Sequence, residues 1–324
     1  MIARRLKTIP GLFAVAVLMT VLIPLWVPAT IVYDLVRLKP RLPTARLLSF
    51  GFCFAWLEVA GMCAALLYWV TGRARQPAAN YRLMQWWAAR LIAALKATTG
   101  LSVSIEGAEA LRPAPVVLLC RHASLADSLV SAYAVTTCAG LHPRYVLKRE
   151  LLFDPCLDVV GNRVPNYFLD RHARDSEPEL AALRALSATL SGDDITVIFP
   201  EGTRANPDKR LKALERIAER NPGRAGRLVG LQQLLPPRPS GAFALATGAP
   251  QADIAIAWHT GFEGYDTFGG ILDKLSKRPQ PIHFVIERIL RSAVPSDEAG
   301  FGTWLDDTWL RMDGLVDADL HRSE

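Results

Sequence analysis

Two stretches of this chain put groups that can move a proton or hold an anion at the ends of apolar runs. The first is R-H-A-S-L-A-D, residues 121–127. His122 carries a ring that titrates near neutrality. A carboxylate bonded to one ring nitrogen would fix the tautomer and support the imidazolium, leaving the other nitrogen to draw a proton from a hydroxyl. Asp127 is placed to be that carboxylate if a turn folds the ring back over the first turn of the helix that follows. Ser124 with Asp127 three positions on also fits a capping box, which explains both without chemistry. The cap leaves His122 unexplained, two positions ahead of it. The second stretch is F-P-E-G-T-R, residues 199–204. A buried strand ends at Pro200, Glu201 and Gly202 turn, and Thr203 and Arg204 lead to a helix start at Asn206. Strand carboxyl ends and helix N-termini both collect anions, so the stretch is a phosphate site or a plain turn. A third, residues 148–171, opens with Lys148 and Arg149 and closes with Arg171; alone it says little.

The elements that must position these groups alternate. Residues 101–107, 115–120, 166–171, 195–200, 252–259 and 282–289 read as strands, and 145–150 as a strand passing into a helix. Helices are expected over 125–138, from Ser176 to about residue 190, and from Asn206 to the N-P-G at 221–223. A long terminal helix is expected over about 297–317, with Trp304, Leu305, Trp309 and Met312 on its apolar side. Strands alternating with helices predict an α/β fold with a largely parallel sheet.

Ahead of that pattern lie two apolar runs, 11–36 and 47–70, interrupted only by Asp34 and Glu58. Each reaches the roughly 20 residues a membrane span needs. The length of the first and the presence of the second argue against a cleaved signal peptide. Pro24 and Pro28 should kink the first helix. The expected division is a membrane hairpin over 1–75 and a catalytic domain over 76–324. Basic residues flank both ends of the pair and fill its link, so the positive-inside rule leaves two arrangements open: a spanning hairpin, or two helices sunk in one leaflet. Residues 80–98 form either an ordinary packed helix or one lying along the membrane surface.

With 51% hydrophobic residues and a net charge of +6, the 324-residue chain has ample core and a modest basic excess. Lys212, Arg216 and Arg220 follow at four-residue steps, with Arg224 beyond. They form either a solvated face or a stripe for anionic headgroups. No recognised motif points to nucleic acid. Five cysteines, an odd number without C-x-x-C, predict reduced thiols in a cytoplasmic domain rather than disulfides or zinc.

Together the motifs resemble those of the membrane-bound 1-acylglycerol-3-phosphate O-acyltransferases, the glycerolipid acyltransferase family, in its bacterial inner-membrane branch. H-x-x-x-x-D is His122 to Asp127. A second block runs through Lys148, Glu150, Leu151, Pro155, Gly161, Phe168, Asp170 and Arg171. F-P-E-G-T-R is unchanged, and residues 234–245 stand for a fourth, proline-centred block. The resemblance implies acyl transfer from acyl-CoA or acyl carrier protein to the free hydroxyl of lysophosphatidate, giving phosphatidate. The expected site follows: His122 the base, Asp127 its orienter, and amides after Ser124 for the oxyanion. Gly202 and Arg204, with Thr203, Arg171 and Lys148, hold the acceptor phosphate. Glu201 orders Arg204 or binds the glycerol hydroxyl. No metal and no cofactor beyond the acyl donor are expected, and the location is the inner membrane with the catalytic domain cytoplasmic. Arg121, where the family often has asparagine, and Leu125, where it often has an aromatic, are expected to border the acceptor pocket. A remodelling enzyme for other lysophospholipids is the alternative; a non-catalytic lipid-binding scaffold is a rival of another class. A hydrolase of the G-x-S-x-G type is excluded, since that motif is absent.

Overall fold

The computed structural model describes residues 2–170 and 176–322. It opens with helices α1 (Ile2–Val21), α2 (Ile23–Val36), α3 (Pro43–Val70) and α4 (Pro77–Thr99). The first apolar run is α1 and α2, bent by 71°. The bend falls at Leu22, just ahead of Pro24, whose ring cannot continue the hydrogen-bond ladder; Pro28 stays inside α2. α3 is long and apolar enough to cross a membrane, and the bent pair passes the same test taken together. The two lone acids of these runs each have a partner. Asp34 accepts the Thr44 and Ala45 amides at 2.9 and 3.1 Å and so caps α3 from outside. Glu58 accepts the Trp87 indole N–H at 2.7 Å.

Contacts cross the expected boundary near residue 76. Arg4 and Arg5 both bond Asp158, whose side chain is fully buried. Arg163 donates to the Ala65 carbonyl at 3.0 Å. Gly61 lies against Cys156, where an added Cβ would sit 3.0 Å from Sγ. The four-helix start is therefore packed onto the rest of the molecule. Within it α4, the segment left open between packed and surface-lying, is a packed helix: Ala88 and Leu91 are fully buried.

The remaining elements follow in chain order: β1 (Val103–Glu106), β2 (Val116–Cys120), α5 (Asp127–Tyr133), β3 (His142–Lys148), α6 (Pro155–Val159), β4 (Tyr167–Leu169), α7 (Glu177–Ala188), β5 (Asp194–Ile198), α8 (Pro207–Arg220), α9 (Pro222–Leu228), α10 (Pro239–Gly248), β6 (Asp253–Thr260), α11 (Phe268–Ser276), β7 (Ile282–Ile289) and α12 (Glu298–Arg322). The strands form one sheet in the order β1-β7-β6-β2-β5-β3-β4. All pairings are parallel except β6 with β7. This is the expected α/β architecture preceded by apolar helices.

β2 lies at the centre, buried at every position, as a strand covered on both faces must be. Its alternate residues serve two cores. Val116, Leu118 and Cys120 join α4 and α5 on one face; Val117 and Leu119 join α7, α9, α10 and α12 on the other. Leu305, Trp309 and Met312 of α12 are fully buried there, each contributing about 1.5–3 kcal/mol or more by burial. β2 thus leads into a helix on one face, while β5 beside it leads to helices on the other. The crevice between such strands, at their carboxyl ends, is where α/β sheets place ligands.

Candidate active site

His122 follows β2 and the 199–204 turn follows β5, so sheet pairing alone brings the two motifs together. Hydrogen bonds then tie them. The His122 amide donates to Glu201 Oε1 at 2.9 Å, and the His122 carbonyl accepts from the Ala205 amide at 2.7 Å. The Phe199 ring lies 5.1 Å from the imidazole, centroid to centroid. The histidine is therefore gripped through its backbone and its ring face.

Asp127 stands at the first position of α5, two residues later than a cap at Ser124 implies. Its carboxylate reaches back. Oδ2 takes His122 Nδ1 at 2.8 Å and the Ala123 and Ser124 amides at 2.6 and 2.8 Å; Oδ1 takes the Ser124 hydroxyl. The cap and the pairing with His122 are the same carboxylate, so the two readings of the sequence are not exclusive. Burial alone would raise the Asp127 pKa, but the imidazoles of His259 and His122 more than offset this and hold it well below the usual carboxylate range. Asp127 is 1% exposed and the His122 side chain 16%. Nε2 of His122 has no partner among the described residues and is the nitrogen left to meet a ligand. The amides of Ala123, Ser124 and Ala126 are occupied by Asp127 and by Ser124 Oγ, so they are not available to an oxyanion.

A cavity of about 520 Å³ opens over His122, lined by Lys148, Gly202, Arg204 and Arg238 among others. Gly202 sits at φ +73°, a conformation that favours glycine, and the Arg238 guanidinium lies across its bare face. Ser124, Leu125, Ser128, Leu147 and Leu151 form a wall shared with a second cavity of about 720 Å³. That cavity is walled almost wholly by apolar side chains of α3, α4 and α5 and by the segments around Phe262 and Leu275. The first compartment holds the basic Lys148, Arg204 and Arg238 together with the acidic Asp170 and Glu179, the second is oily, and His122 lines the first beside the wall they share.

Several expected residues lie elsewhere. Glu201 is 2% exposed; its second oxygen takes the Leu235 amide at 3.0 Å. It touches neither Arg204 nor the cavity, and instead fixes His122. Burial pushes its pKa up to about 8, against the pull of the His122 and Leu235 amides. Thr203 is half-buried and does not line the cavity. Arg171 lies outside the described residues. Arg121 does not border the pocket; it is buried and donates to the His259 carbonyl and to Glu263. Leu125 does border it, 52% exposed. Of the basic stripe, Lys212, Arg216 and Arg220 are exposed on α8, but Arg224 belongs to α9 and pairs with Asp306 at 2.8 Å. Two residues near the site escaped the sequence reading. Arg238 lay unremarked inside the proline-centred block, and His259 ends a strand recognised only as a strand. Among the described residues no group of three or more His, Cys, Asp or Glu side chains converges as a metal site.

Residues 102–257 match the family model described as Acyltransferase. The fold is similar to that of the 1-acyl-sn-glycerophosphate (LPA) acyltransferase PlsC from Thermotoga maritima, with a TM-score of 0.50 at 16% identity over 81% of this chain and 95% of that one. The matched stretch runs from the start of β1 into β6, carrying His122, Asp127, Lys148 and the whole 199–204 turn, and over it the chain is similar to the acyltransferase family.

Proposed function

We propose that the protein is a membrane-bound 1-acylglycerol-3-phosphate O-acyltransferase. It moves a fatty acyl group from acyl-CoA or acyl carrier protein to the free hydroxyl of lysophosphatidate, giving phosphatidate. The observation that carries this reading is the position of His122 in a polar compartment with three basic side chains, Lys148, Arg204 and Arg238, beside an oily one. An amphiphile with an anionic head and a long chain fits that pair, and its reacting hydroxyl lies between head and chain.

In the proposed reaction His122 Nε2 takes the proton of the acceptor hydroxyl as its oxygen attacks the thioester carbonyl. Asp127 supports the imidazolium so formed. The tetrahedral intermediate collapses with cleavage of the carbon–sulfur bond, and the imidazolium proton neutralises the leaving thiolate. No acyl-enzyme is needed, because the thioester is already activated. Arg204 and Lys148, with Arg171 and with Arg238 across Gly202, hold the acceptor phosphate by charge-assisted bonds. Glu201 serves by holding the His122 backbone rather than by touching substrate. The oily cavity takes an acyl chain, each buried methylene contributing about 0.8 kcal/mol.

The proposed location is the inner membrane, with the catalytic domain cytoplasmic. The apolar helices attach the enzyme where both chains reside, and Lys212, Arg216 and Arg220 add a weaker contact with anionic headgroups. The test is acyl transfer by purified protein from labelled acyl-CoA and acyl carrier protein to a panel of lysolipids. Lysophosphatidate should be the preferred acceptor. Preference for a lysophosphodiester would make the protein a remodelling enzyme, and transfer to none would reject an acyltransferase role.

A further inference from the structure

Asp127 has a second imidazole against it. His259 lies near the end of β6, the strand beside β2, and its ring is fully buried. Nε2 is 3.2 Å from Asp127 Oδ1, off the line of a full hydrogen bond, and Nδ1 has no partner among the described residues. Packing fixes the ring. It stacks on Phe284 with 8° between planes and meets Phe262 edge-on at 5.4 Å. Arg121, braced by Glu263 at 3.0 Å, holds the His259 backbone carbonyl. Asp127 is the charged group facing the ring itself; Arg121 and Glu263 face only its backbone.

A buried polar ring with no other partner asks for an explanation. The two oxygens of Asp127 suggest one. Oδ2 carries the bond to His122, whereas Oδ1 has only the Ser124 hydroxyl and the approach of His259. A proton on His259 Nδ1 would be a buried donor with nothing to meet, so the geometry favours the proton on Nε2, facing Oδ1. We propose that His259 is a positioning residue for the His122–Asp127 pair, its Nε2–H steadying Oδ1 so that Oδ2 stays aimed at His122 Nδ1 while the base takes and returns its proton. This rests on His122 being the base.

Two variants test it. His259→Leu keeps apolar bulk but has no donor; His259→Gln can return an N–H near the place of Nε2. The leucine variant should lose on the order of tenfold in kcat, about one charge-assisted bond, with the KM of both substrates within about twofold of wild type. Its acid limb of kcat/KM should move to higher pH, because a carboxylate relieved of one donor holds the protonated base more strongly. Glutamine should restore most of both. A leucine variant with wild-type rate and limb overturns the proposal, as does a downward move of the limb. So does a glutamine variant that melts like wild type yet is as slow as leucine. A second measurement needs no variant at His259. Nitrogen NMR of the ¹⁵N-histidine-labelled whole protein should show a neutral His259 protonated on Nε2, perturbed by Asp127→Asn; an Nδ1-protonated ring overturns the proposal. His122→Ala separates the two readings, since activity surviving there would defeat the base itself whatever His259 does.

Discussion

Asp127→Asn is the most informative single change, because the site can house the amide but cannot replace the charge. The amide must turn its oxygen to the place of Oδ2, where His122 Nδ1 and the Ala123 and Ser124 amides converge at 2.6–2.8 Å. Its NH₂ then falls where Oδ1 was. There it meets the Ser124 hydroxyl, which can accept, and His259, which can accept if its proton moves to the other nitrogen. That shift leaves a buried Nδ1–H without a partner, so the expected stability loss is about 1–3 kcal/mol. The rate is another matter. Asp127 is held ionised by its neighbours, so the wild-type enzyme has a full buried charge to set against the imidazolium. Losing that charge removes about 1.5–3 kcal/mol of charge-assisted bonding, roughly 10- to 150-fold in rate. A wrong His122 tautomer would carry the loss toward about 10⁴, as in serine-protease triads. The assay is release of free thiol from acyl-CoA at saturating lysophosphatidate, beside a melting curve. A variant that melts like wild type and turns over within about threefold of it would refute the reasoning and leave Asp127 a helix cap.

Arg204→Ala should raise KM for lysophosphatidate by about 10- to 100-fold, one charge-assisted contact, and leave KM for acyl-CoA nearly unchanged; the reverse pattern in steady-state kinetics would move Arg204 to the donor side. Arg4→Ala with Arg5→Ala leaves Asp158 buried with only Asn162 beside it, which should cost about 3 kcal/mol in denaturation and speed proteolytic loss of α1; unchanged stability would show that α1 is not fixed there. His283 joins β7 to Glu106 and Asp319, at 2.9 and 3.2 Å. Burial lowers its pKa, but the two carboxylates outweigh it and the net shift is upward. That stabilisation is complete below the ordinary histidine value of about 6.5 and is lost as pH rises through the higher folded value. Melting temperature should therefore fall more between pH 6 and pH 8.5, roughly the window of that loss, in wild type than in His283→Gln, and parallel curves would reject the clamp.

What the sequence discloses depends on how far each feature reaches along the chain. β7 matches its predicted span because Pro281 marks its start and an unbroken β-favouring run follows. α8 begins where Asn206 predicts, its side chain accepting the Lys209 amide at 2.9 Å. α10 was not recognised, and could not be by period: Ala242, Ala244, Leu245 and Ala246 are all buried, and a helix covered on several sides has no polar stripe to show. The expected division at residue 76 follows a change in composition, but the Arg4, Arg5 and Arg163 contacts run across it, since an apolar helix can pack on protein as well as on lipid. The contact between His122 and Asp127 was legible because the two are neighbours in sequence. Glu201 was not, because spacing gives no direction to a turn, and its carboxylate points inward to backbone rather than outward to substrate. That inward role reaches further still. Asp313 on α12 accepts the amides of Gln232, Gln233 and Leu234 at 2.9, 2.8 and 2.7 Å. Those three bonds fix the loop whose next amide, Leu235, meets Glu201, and Glu201 in turn holds the His122 amide. The ring at the carboxyl end of β2 is thus aimed in part from the last helix of the chain, by an aspartate more than a hundred residues from the 199–204 turn.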